Sequence, residues 1–334
     1  MSIITQKDIA ARLGVTRVLV SRALTGHESV AERTQFLIRE TAREMGYHAS
    51  SNADARALAA RRNGRVPRHG VLACLLGSPE ERQLLPYWMQ LQQGIEEAAH
   101  QAGYRLVLGG DATDWENADG VIAHGAVVIN ASSQIPVVTL MEAGDAAPGV
   151  TVDNFTGAQE LTAHLLGMGH TRIACLMNTT GSTAVKDRVR GWKCALRRAG
   201  IAPEAAWLRE LSLFGGDFLG RGRLNMENWL SDNWNALGCT ALLVQNDRAA
   251  VGAMQMLQAA GLNVPRDVSL AGFDGTGEGD FCTPRLATVE VPLRRVGQTA
   301  VELLLRLING EKVSSRILPT RLCVRESIGP PRKP

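Results

Sequence analysis

The sequence predicts an α/β fold with a small three-helix head and a body of two lobes, each built on a parallel sheet. Two observations predict the body: from Gly70 onwards short apolar runs alternate with amphipathic stretches, and this rhythm starts a second time at Gly149. Strands that alternate with helices usually form parallel sheets covered on both faces. A third observation predicts the head, since apolar residues before residue 50 recur at helical spacing around Gly14.

The head begins with two short helices joined at Gly14, where a glycine can adopt a positive φ and reverse the chain. Thr16 is a good N-cap for the second helix. At a period of 3.6 residues, one face of this helix is apolar and can pack on Ile9 and Leu13. The apolar face comprises Leu19, Val20 and Ala23, and the outward face comprises Arg17, Val18, Ser21 and Arg22. This pattern is typical of a helix-turn-helix whose second helix enters a DNA major groove.

The rest of the N-terminal region predicts a third helix and a linker. A helix from Val30 to Met45 completes a helix-turn-helix head at residues 1–49. Residues 50–68 are rich in alanine and arginine but have no broad apolar face, so we expect a marginal hinge helix and a linker. The body is then predicted over residues 69–334.

The charge of the chain is divided unevenly. Residues 1–68 carry 12 Lys and Arg against 6 Asp and Glu, a net charge of +6, whereas the remainder has a net charge of −3. A basic head on a mildly acidic body favours a phosphate-binding module joined to a part that binds another ligand.

Several classes of protein are excluded by composition. No apolar run reaches the length of a membrane span and no signal peptide is evident, so we expect a cytoplasmic protein without a membrane partner. The six cysteines are scattered and form no C-x-x-C pair, which favours reduced thiols over disulfides or zinc. No metal or other cofactor is expected.

The body is predicted to comprise lobe 1 at about 69–148 and 286–312 and lobe 2 at about 149–285 and 313–329. Ligands of such folds bind beyond the carboxyl ends of strands, often between lobes. The predicted strands are 71–76, 105–108, 120–122, 126–129, 136–140, 149–152, 173–177, 241–244 and 269–273. The predicted helices are 86–103, 156–168, 188–199, 249–260 and 293–309.

Short motifs follow one another along nearly the whole chain. They are Asp8-Ile9-Ala10 through Val20-Ser21-Arg22, Met45-Gly46-Tyr47, Gly94-Ile95-Glu96-Glu97-Ala98, Val152-Asp153-Asn154, Gly169-His170-Thr171-Arg172-Ile173-Ala174, Asn246-Asp247, Val264-Pro265-Arg266-Asp267-Val268-Ser269, Gly272-Phe273-Asp274 and Thr283-Pro284. This ordered series resembles the lactose repressor/galactose repressor (LacI/GalR) family of transcriptional regulators. The resemblance implies a homodimer that binds a palindromic operator in double-stranded DNA, and a body like a periplasmic binding protein. A small-molecule effector, a sugar or sugar acid by family frequency, would bind between the lobes and control operator affinity.

The resemblance assigns DNA contacts in the head residue by residue. Arg17, Val18 and Arg22 occupy the positions that read bases, where arginine suits guanine and valine suits a thymine methyl group. The positions that contact phosphates are Thr5, Thr16, Ser21 and Thr34. Helix capping is an alternative role for these hydroxyls, and for Thr5 and Thr16 both roles can hold together.

The family's hinge helix is resembled by residues 52–58, where Asn52, Ala55 and Leu58 are the expected DNA-contacting residues. In the family this leucine enters the minor groove and kinks the duplex. The chain departs from the family just before, because residues 47–52 lack the usual proline and are two residues longer. It departs again at residues 110–120, which are too short for the family's helix, so about one helix of lobe 1 is expected to be missing.

In the body, the resemblance implies an effector site. Arg188 occupies the position of the family's effector-clamping arginine, and Asn246 and Asp274 occupy those of the residues that bind sugar hydroxyls. Tyr87 and Trp88 match an aromatic pair that lines the same cleft, and Phe218 is a further expected wall. A place in the core of a lobe is an equal alternative for Trp88.

Two other functions remain open at this stage. A nucleotide-dependent enzyme is suggested by the glycines of residues 275–279, but their spacing differs from that of a dinucleotide-binding loop and no catalytic cluster accompanies them. A plain sugar-binding protein would need no basic head. We therefore expect a DNA-binding regulator, most readily a repressor, and not an enzyme; whether the effector releases or recruits DNA stays open.

Overall fold

The fold is taken from a computed structural model. It describes residues 4, 6–24, 30–45, 69–76, 86–109, 118–124, 135–141, 147–180, 182–212 and 217–332. The helices are α1 Gln6–Leu13, α2 Arg17–Leu24, α3 Glu32–Glu44, α4 Pro86–Gln101, α5 Asn154–Gly167, α6 Thr183–Arg198, α7 Phe218–Asp232, α8 Trp234–Leu237, α9 Asp247–Ala259 and α10 Leu293–Ile308. The strands are β1 Val71–Leu75, β2 Arg105–Leu108, β3 Gly120–His124, β4 Val137–Leu140, β5 Gly149–Val152, β6 Ile173–Met177, β7 Leu208–Glu210, β8 Ala241–Val244, β9 Ser269–Asp274, β10 Ala287–Glu290, β11 Arg316–Leu318 and β12 Arg321–Cys323.

Helices α1 to α3 pack around a small apolar core. Gly14 has a φ of 64°, the conformation that lets the chain turn between α1 and α2 without a Cβ penalty. The Thr16 hydroxyl accepts a hydrogen bond from the Leu19 amide at 3.2 Å, which confirms the predicted cap of α2. The core of the head comprises Ile9, Ala10, Val20, Ala23, Val30, Ile38 and Ala42. The predicted inward and outward faces of α2 are therefore confirmed.

The chain forms two compact units. The first comprises residues 1–74, 96–121 and 134–136, and the second comprises residues 75–95, 122–133 and 137–334. In the first unit β1 and β2 pair in parallel, with Val71 opposite Arg105 and Cys74 opposite Leu108.

The second unit contains parallel strands of two sheets. Strands β4, β5 and β11 pair in parallel. A six-stranded sheet has the order β12-β10-β9-β8-β6-β7, in which β12 is antiparallel to β10 and the other neighbouring pairs are parallel. Its central strands β6, β8 and β9 are buried throughout, as expected for strands that are covered on both faces.

Glycines let the helices beside this sheet approach closely. A Cβ at Gly222 of α7 would lie 2.1 Å from the carbonyl oxygen of Ala249 in α9. A Cβ at Gly252 of α9 would lie 2.2 Å from that of Leu219 in α7. No ordinary side chain fits at such distances, so α7 and α9 cross backbone to backbone.

The predicted elements agree with the structure over most of the described chain. Strands 105–108, 149–152, 173–177 and 241–244 have the predicted bounds, whereas α6 begins at residue 183, five residues before the prediction. Helix α7 was missed because small and polar residues, Gly222 and Asn225, share its buried face with Met226 and Trp229. The predicted strand 126–129 lies outside the described residues, and so does the shortened segment at 110–117.

The predicted lobe boundaries at 149, 286 and 313 require correction, the last because strand β11, assigned to lobe 2, pairs in parallel with β5. Strand β5, assigned to lobe 2, pairs with β4 rather than with the strands of the six-stranded sheet. Strand β10, assigned to lobe 1, pairs with β9 of that sheet. Both strands sit next to a crossover between the sheets, and sequence rhythm does not reveal which sheet a strand joins there. Among the described residues, no helix has the length and apolar character needed to cross a membrane.

We predict that Gly252→Ala lowers the free energy of unfolding by about 1–3 kcal/mol, because the added methyl group must push α7 and α9 apart. The matched control is Gly167→Ala at the exposed end of α5, where a Cβ would meet nothing within 4 Å. That variant should be neutral or up to about 1 kcal/mol more stable, since alanine favours helix over glycine. Urea unfolding measures both, and equal stability of the two variants would contradict the close crossing.

Candidate functional site

A pocket of about 230 Å³ lies at the carboxyl ends of several strands in the second unit. His124 ends β3, Met141 follows β4, Asn246 follows β8 and Asp274 ends β9. This is the position where open α/β sheets bind ligands. The lining residues are Pro86, Tyr87, Trp88, His124, Met141, Ser182, Ala184, Val185, Arg188, Phe218, Gln245, Asn246, Arg248, Asp274, Thr276 and Glu278.

Arg188 is a buried arginine of α6 whose guanidinium group is held from three directions. Its Nε donates to Oδ1 of Asn154 at 2.8 Å, its Nη1 donates to the carbonyl oxygen of Gln245, and its Nη2 donates to Oδ1 of Asp274 at 3.2 Å. The guanidinium carbon also lies 3.7 Å from the centroid of the Phe273 ring. A buried charge with this many partners is fixed in position.

Asp274 faces Arg188 from the end of β9. Burial raises the pKa of Asp274 to about 6, and the neighbouring Arg188 opposes this rise. Its backbone φ is 110°, and that of Met141 is 62°. These two are the non-glycine residues with positive φ in the described part of the chain, and both line the pocket. Strained backbone of this kind is concentrated at functional sites.

Asp247, the first residue of α9, is fully buried behind the pocket. Its Oδ2 accepts hydrogen bonds from the amides of Gly275 at 2.8 Å and Thr276 at 3.1 Å, and its Oδ1 accepts one from the Thr288 hydroxyl at 2.6 Å. Burial, and then the nearby carboxylate of Asp274, raise the pKa of Asp247 to about 7. This carboxylate therefore positions the turn that carries Thr276 into the pocket wall.

Three rings form an aromatic wall of the pocket. The Tyr87 and Trp88 rings at the start of α4 lie 5.1 Å apart, and the Trp88 and His124 rings lie 4.4 Å apart, both pairs edge to face. Burial, and then the charge of Asp274, raise the pKa of the Tyr87 phenol, so it stays protonated and can donate a hydrogen bond.

Another part of the wall carries an ion-paired arginine. Arg248 of α9 donates from Nη2 to Oδ2 of Asp217 at 2.7 Å and from Nη1 to Oε1 of Glu278. Asp217 is the N-cap of α7, and the next residue, Phe218, lines the pocket. The Gly220 amide, followed by Arg248, lowers the pKa of Asp217. Residues 275–279 lead into a short 3-10 helix at Glu278–Phe281 rather than into an α-helix.

The structure brings the six effector-site residues predicted from the sequence into one pocket: Tyr87, Trp88, Arg188, Phe218, Asn246 and Asp274. Asn246 also caps α9, since its Oδ1 accepts from the Ala249 amide at 2.9 Å. Sequence reasoning missed Asn154, Phe273 and Arg248. The first two belong to motifs already singled out, Val152-Asp153-Asn154 and Gly272-Phe273-Asp274, whereas no signal pointed to Arg248.

In the head, the residues predicted to read bases lie on the surface. Arg17 and Arg22 are exposed, and Val18 is 61% exposed. Thr16 is exposed and caps α2, whereas Ser21 and Thr34 are half-buried. The predicted contacts Thr5, Asn52, Ala55 and Leu58 lie outside the described residues. In the described part of the chain no cluster of three His, Cys, Asp or Glu side chains has the arrangement of a metal site.

Known proteins similar to this chain are transcriptional regulators. The profile of the periplasmic binding protein-like domain matches residues 162–328, half of the chain. The HTH-type transcriptional regulator DegA of Bacillus subtilis (strain 168) is 26% identical over 97% of this chain and 97% of its own length. The lac repressor dimer bound to operator and the anti-inducer ONPF is 25% identical, with a TM-score of 0.67 over 98% of this chain and 99% of that one. The transcriptional regulator CelR in complex with cellobiose, 23% identical over 97% of this chain and 99% of that one with a TM-score of 0.67, has the same fold.

We predict that Asp247→Asn changes the pH dependence of stability. Because the raised pKa makes folded Asp247 hold its proton more tightly than the unfolded chain, ionisation destabilises the fold as pH rises from about 4 to about 7. Asparagine does not ionise and keeps an oxygen for the Gly275 and Thr276 amides. The unfolding free energy of the variant should therefore rise relative to that of wild type across this pH window, by on the order of 2–4 kcal/mol.

Denaturant unfolding at several pH values measures this gain. Asp247→Ala is the control, because it removes the acceptor oxygens together with the charge and isolates the loss of the backbone hydrogen bonds. A difference between Asp247→Asn and wild type that does not change with pH would contradict the prediction.

Proposed function

The chain belongs to the LacI/GalR family of transcriptional regulators and carries its periplasmic binding protein-like domain, and from this we propose a ligand-controlled DNA-binding repressor. The head, residues 1–49, would bind operator DNA, residues 50–68 would form the hinge, and residues 69–334 would bind the effector and dimerise. The proposed location is the cytoplasm.

The observation that carries this proposal is the pocket around Arg188. A ligand site is a concave, largely apolar cavity with a few convergent polar groups. Here an aromatic wall of Tyr87 and Trp88 faces Arg188 and Asp274, whose positions are set by buried hydrogen bonds. The strained backbone at Asp274 supports a ligand-binding role, because such strain persists where function needs it.

The proposed effector is a sugar or sugar acid. Carboxylate and amide groups pair with vicinal hydroxyls, and a ring such as Trp88 covers the apolar face of a pyranose. The solved CelR structure, of the same fold, is a complex with cellobiose. The volume of about 230 Å³ lies just below the usual range for drug-sized ligands, about 300–1,000 Å³, which favours a small effector.

The proposed DNA-reading surface is the outward face of α2. Arg17, Val18 and Arg22 are exposed on it, while Val20 and Ala23 hold the helix to the head. A two-fold dimer would place two such helices about 34 Å apart on a palindromic operator. Effector and operator would then be linked reciprocally, so that operator DNA changes effector affinity by the factor by which effector changes operator affinity.

We predict that Arg22→Ala costs about 1–3 kcal/mol at one operator position and relaxes base preference there, since arginine reads guanine through two hydrogen bonds. Arg12→Ala, an exposed arginine of α1, removes the same charge from the head and is the control. Selection of binding sites from random duplexes identifies the operator for wild type and both variants. An Arg22→Ala protein that selects the wild-type sequence with undiminished stringency would contradict the assignment.

We predict that Arg188→Gln weakens the effector by about 100-fold, because a buried hydrogen-bonded charge at the ligand is lost, while operator binding without effector persists. Arg190→Gln, an exposed arginine two residues along α6 that pairs with Asp187, is the control and should respond like wild type. A thermal-shift screen of sugars and sugar acids identifies the effector, and gel shifts with and without it measure the response. An unchanged response in Arg188→Gln would overturn the site, and the direction of the wild-type response distinguishes an inducer from a corepressor.

A further inference from the structure

Arg248 joins three elements around the pocket. Its Nε and Nη2 donate to Oδ2 of Asp217 at 3.1 and 2.7 Å, at the start of α7, and its Nη1 donates to Glu278 in the 3-10 helix after β9. The side chains of Arg248 and Glu278 are 26% and 24% exposed, so both are shielded from water over most of their surface. We call Asp217, Arg248 and Glu278 the charge triad.

The charge triad is held by rigid packing. Gly222 and Gly252 bring α7 and α9 into backbone contact, which sets the distance between the N-cap of α7 and the first turn of α9. The turn before Glu278 is held by the hydrogen bonds from the Gly275 and Thr276 amides to Asp247. The guanidinium of Arg248 is therefore held between two carboxylates whose positions are fixed by the surrounding helices and turn.

Each arginine and each carboxylate along the pocket wall is ion-paired. Among the lining residues that the structure describes, the arginines are Arg188 and Arg248, and the carboxylates are Asp274 and Glu278. Arg188 pairs with Asp274, and Arg248 pairs with Glu278 and, just outside the lining, with Asp217. An anionic ligand would have to displace Asp274 or Glu278, whose side chains are 12% and 24% exposed, and leave that carboxylate poorly solvated, which costs free energy.

We propose that the charge triad makes the pocket selective for uncharged polyols over sugar acids, with Arg248 as the specificity-determining residue. This inference rests on the proposed sugar-binding function and narrows its ligand class. Hydroxyl groups both donate and accept, so a neutral sugar can donate to Glu278 and Asp274 and accept from the guanidinium groups without disturbing either pair. Specificity then comes from the cost imposed on the wrong ligand as well as from contacts with the right one.

The test uses matched ligands that differ in charge: galactose, galacturonate and galactosamine, and glucose, glucuronate and glucosamine. Binding of each to the full-length protein is measured by calorimetry at neutral pH, for wild type, Arg248→Gln and Glu278→Gln. Arg209→Gln is the control, because Arg209 pairs with Asp232 at 2.6 Å with similar exposure but does not line the pocket.

Wild type should bind a neutral sugar of a set more tightly than its uronate. Arg248→Gln leaves two carboxylates uncompensated and should shift preference by about tenfold towards the amino sugar. Glu278→Gln leaves Arg248 with one carboxylate and should shift preference by a similar factor towards the uronate. Arg209→Gln should keep the wild-type ratios of affinity. Opposite shifts in the two variants report charge selectivity, because a merely structural role would weaken all three ligands alike.

Three results would overturn the proposal. A wild-type protein that binds a uronate more tightly than its neutral partner contradicts the selectivity while leaving the sugar site in place. Variants that keep the wild-type ratios of affinity among the three ligands of a set contradict the role of Arg248. If wild type binds no sugar of either set and no larger neutral sugar of the screen, the proposed sugar effector is wrong, and the proposed selectivity is wrong with it. If Arg248→Gln does not fold, Glu278→Gln and Asp217→Asn carry the same test.

Discussion

The buried guanidinium group of Arg188 is the interaction on which the pocket depends. A charge placed at 6% exposure is tolerated because Asn154, the Gln245 carbonyl and Asp274 all accept its hydrogen bonds. These acceptors come from the start of α5 and from the ends of β8 and β9, so one side chain ties together three segments. The part of the pocket wall formed by Gln245 and Asp274 is thus held in place by a single buried cation.

Close helix packing is the second constraint. The six-stranded sheet sets where the strands end, but the position of the charge triad depends on how α7 crosses α9. Glycines at the crossing remove the side chains that would otherwise separate the helices. The distance between Asp217 and Arg248 is therefore set by the backbone contact of the two helices. The turn after β9, which carries Glu278, is held near them by the hydrogen bonds from its amides to Asp247. The close backbone packing at Gly222 and Gly252 thus places Arg248 within ion-pair distance of Asp217.

The head carries its arginines on the exposed face of a helix rather than in a pocket. Its core is small, and its stability depends on a few fully buried residues such as Ile9 and Ile38. With that core satisfied by one face of α2, the side chains of Arg17, Val18 and Arg22 on the other face lie at the surface. A basic exposed face on a helix held by its opposite side suits the positioning of guanidinium groups against nucleic acid.

The sequence by itself determined the helix-turn-helix, the alternation of strands and helices, the family, and six residues that prove to share one pocket. Each of these is carried by a local pattern, either a spacing such as that from Gly14 to Arg22 or a motif such as Asn246-Asp247. Only the tertiary structure decided which sheet β5 and β10 join. It also showed that α7 is a helix although glycine and asparagine lie on its buried face, and that Arg248 pairs with both Asp217 and Glu278. The physical reason is that these outcomes depend on contacts between separate elements, such as those of Arg248 with carboxylates 30 and 31 residues away, and no local period or propensity encodes which distant carboxylate will meet a given arginine.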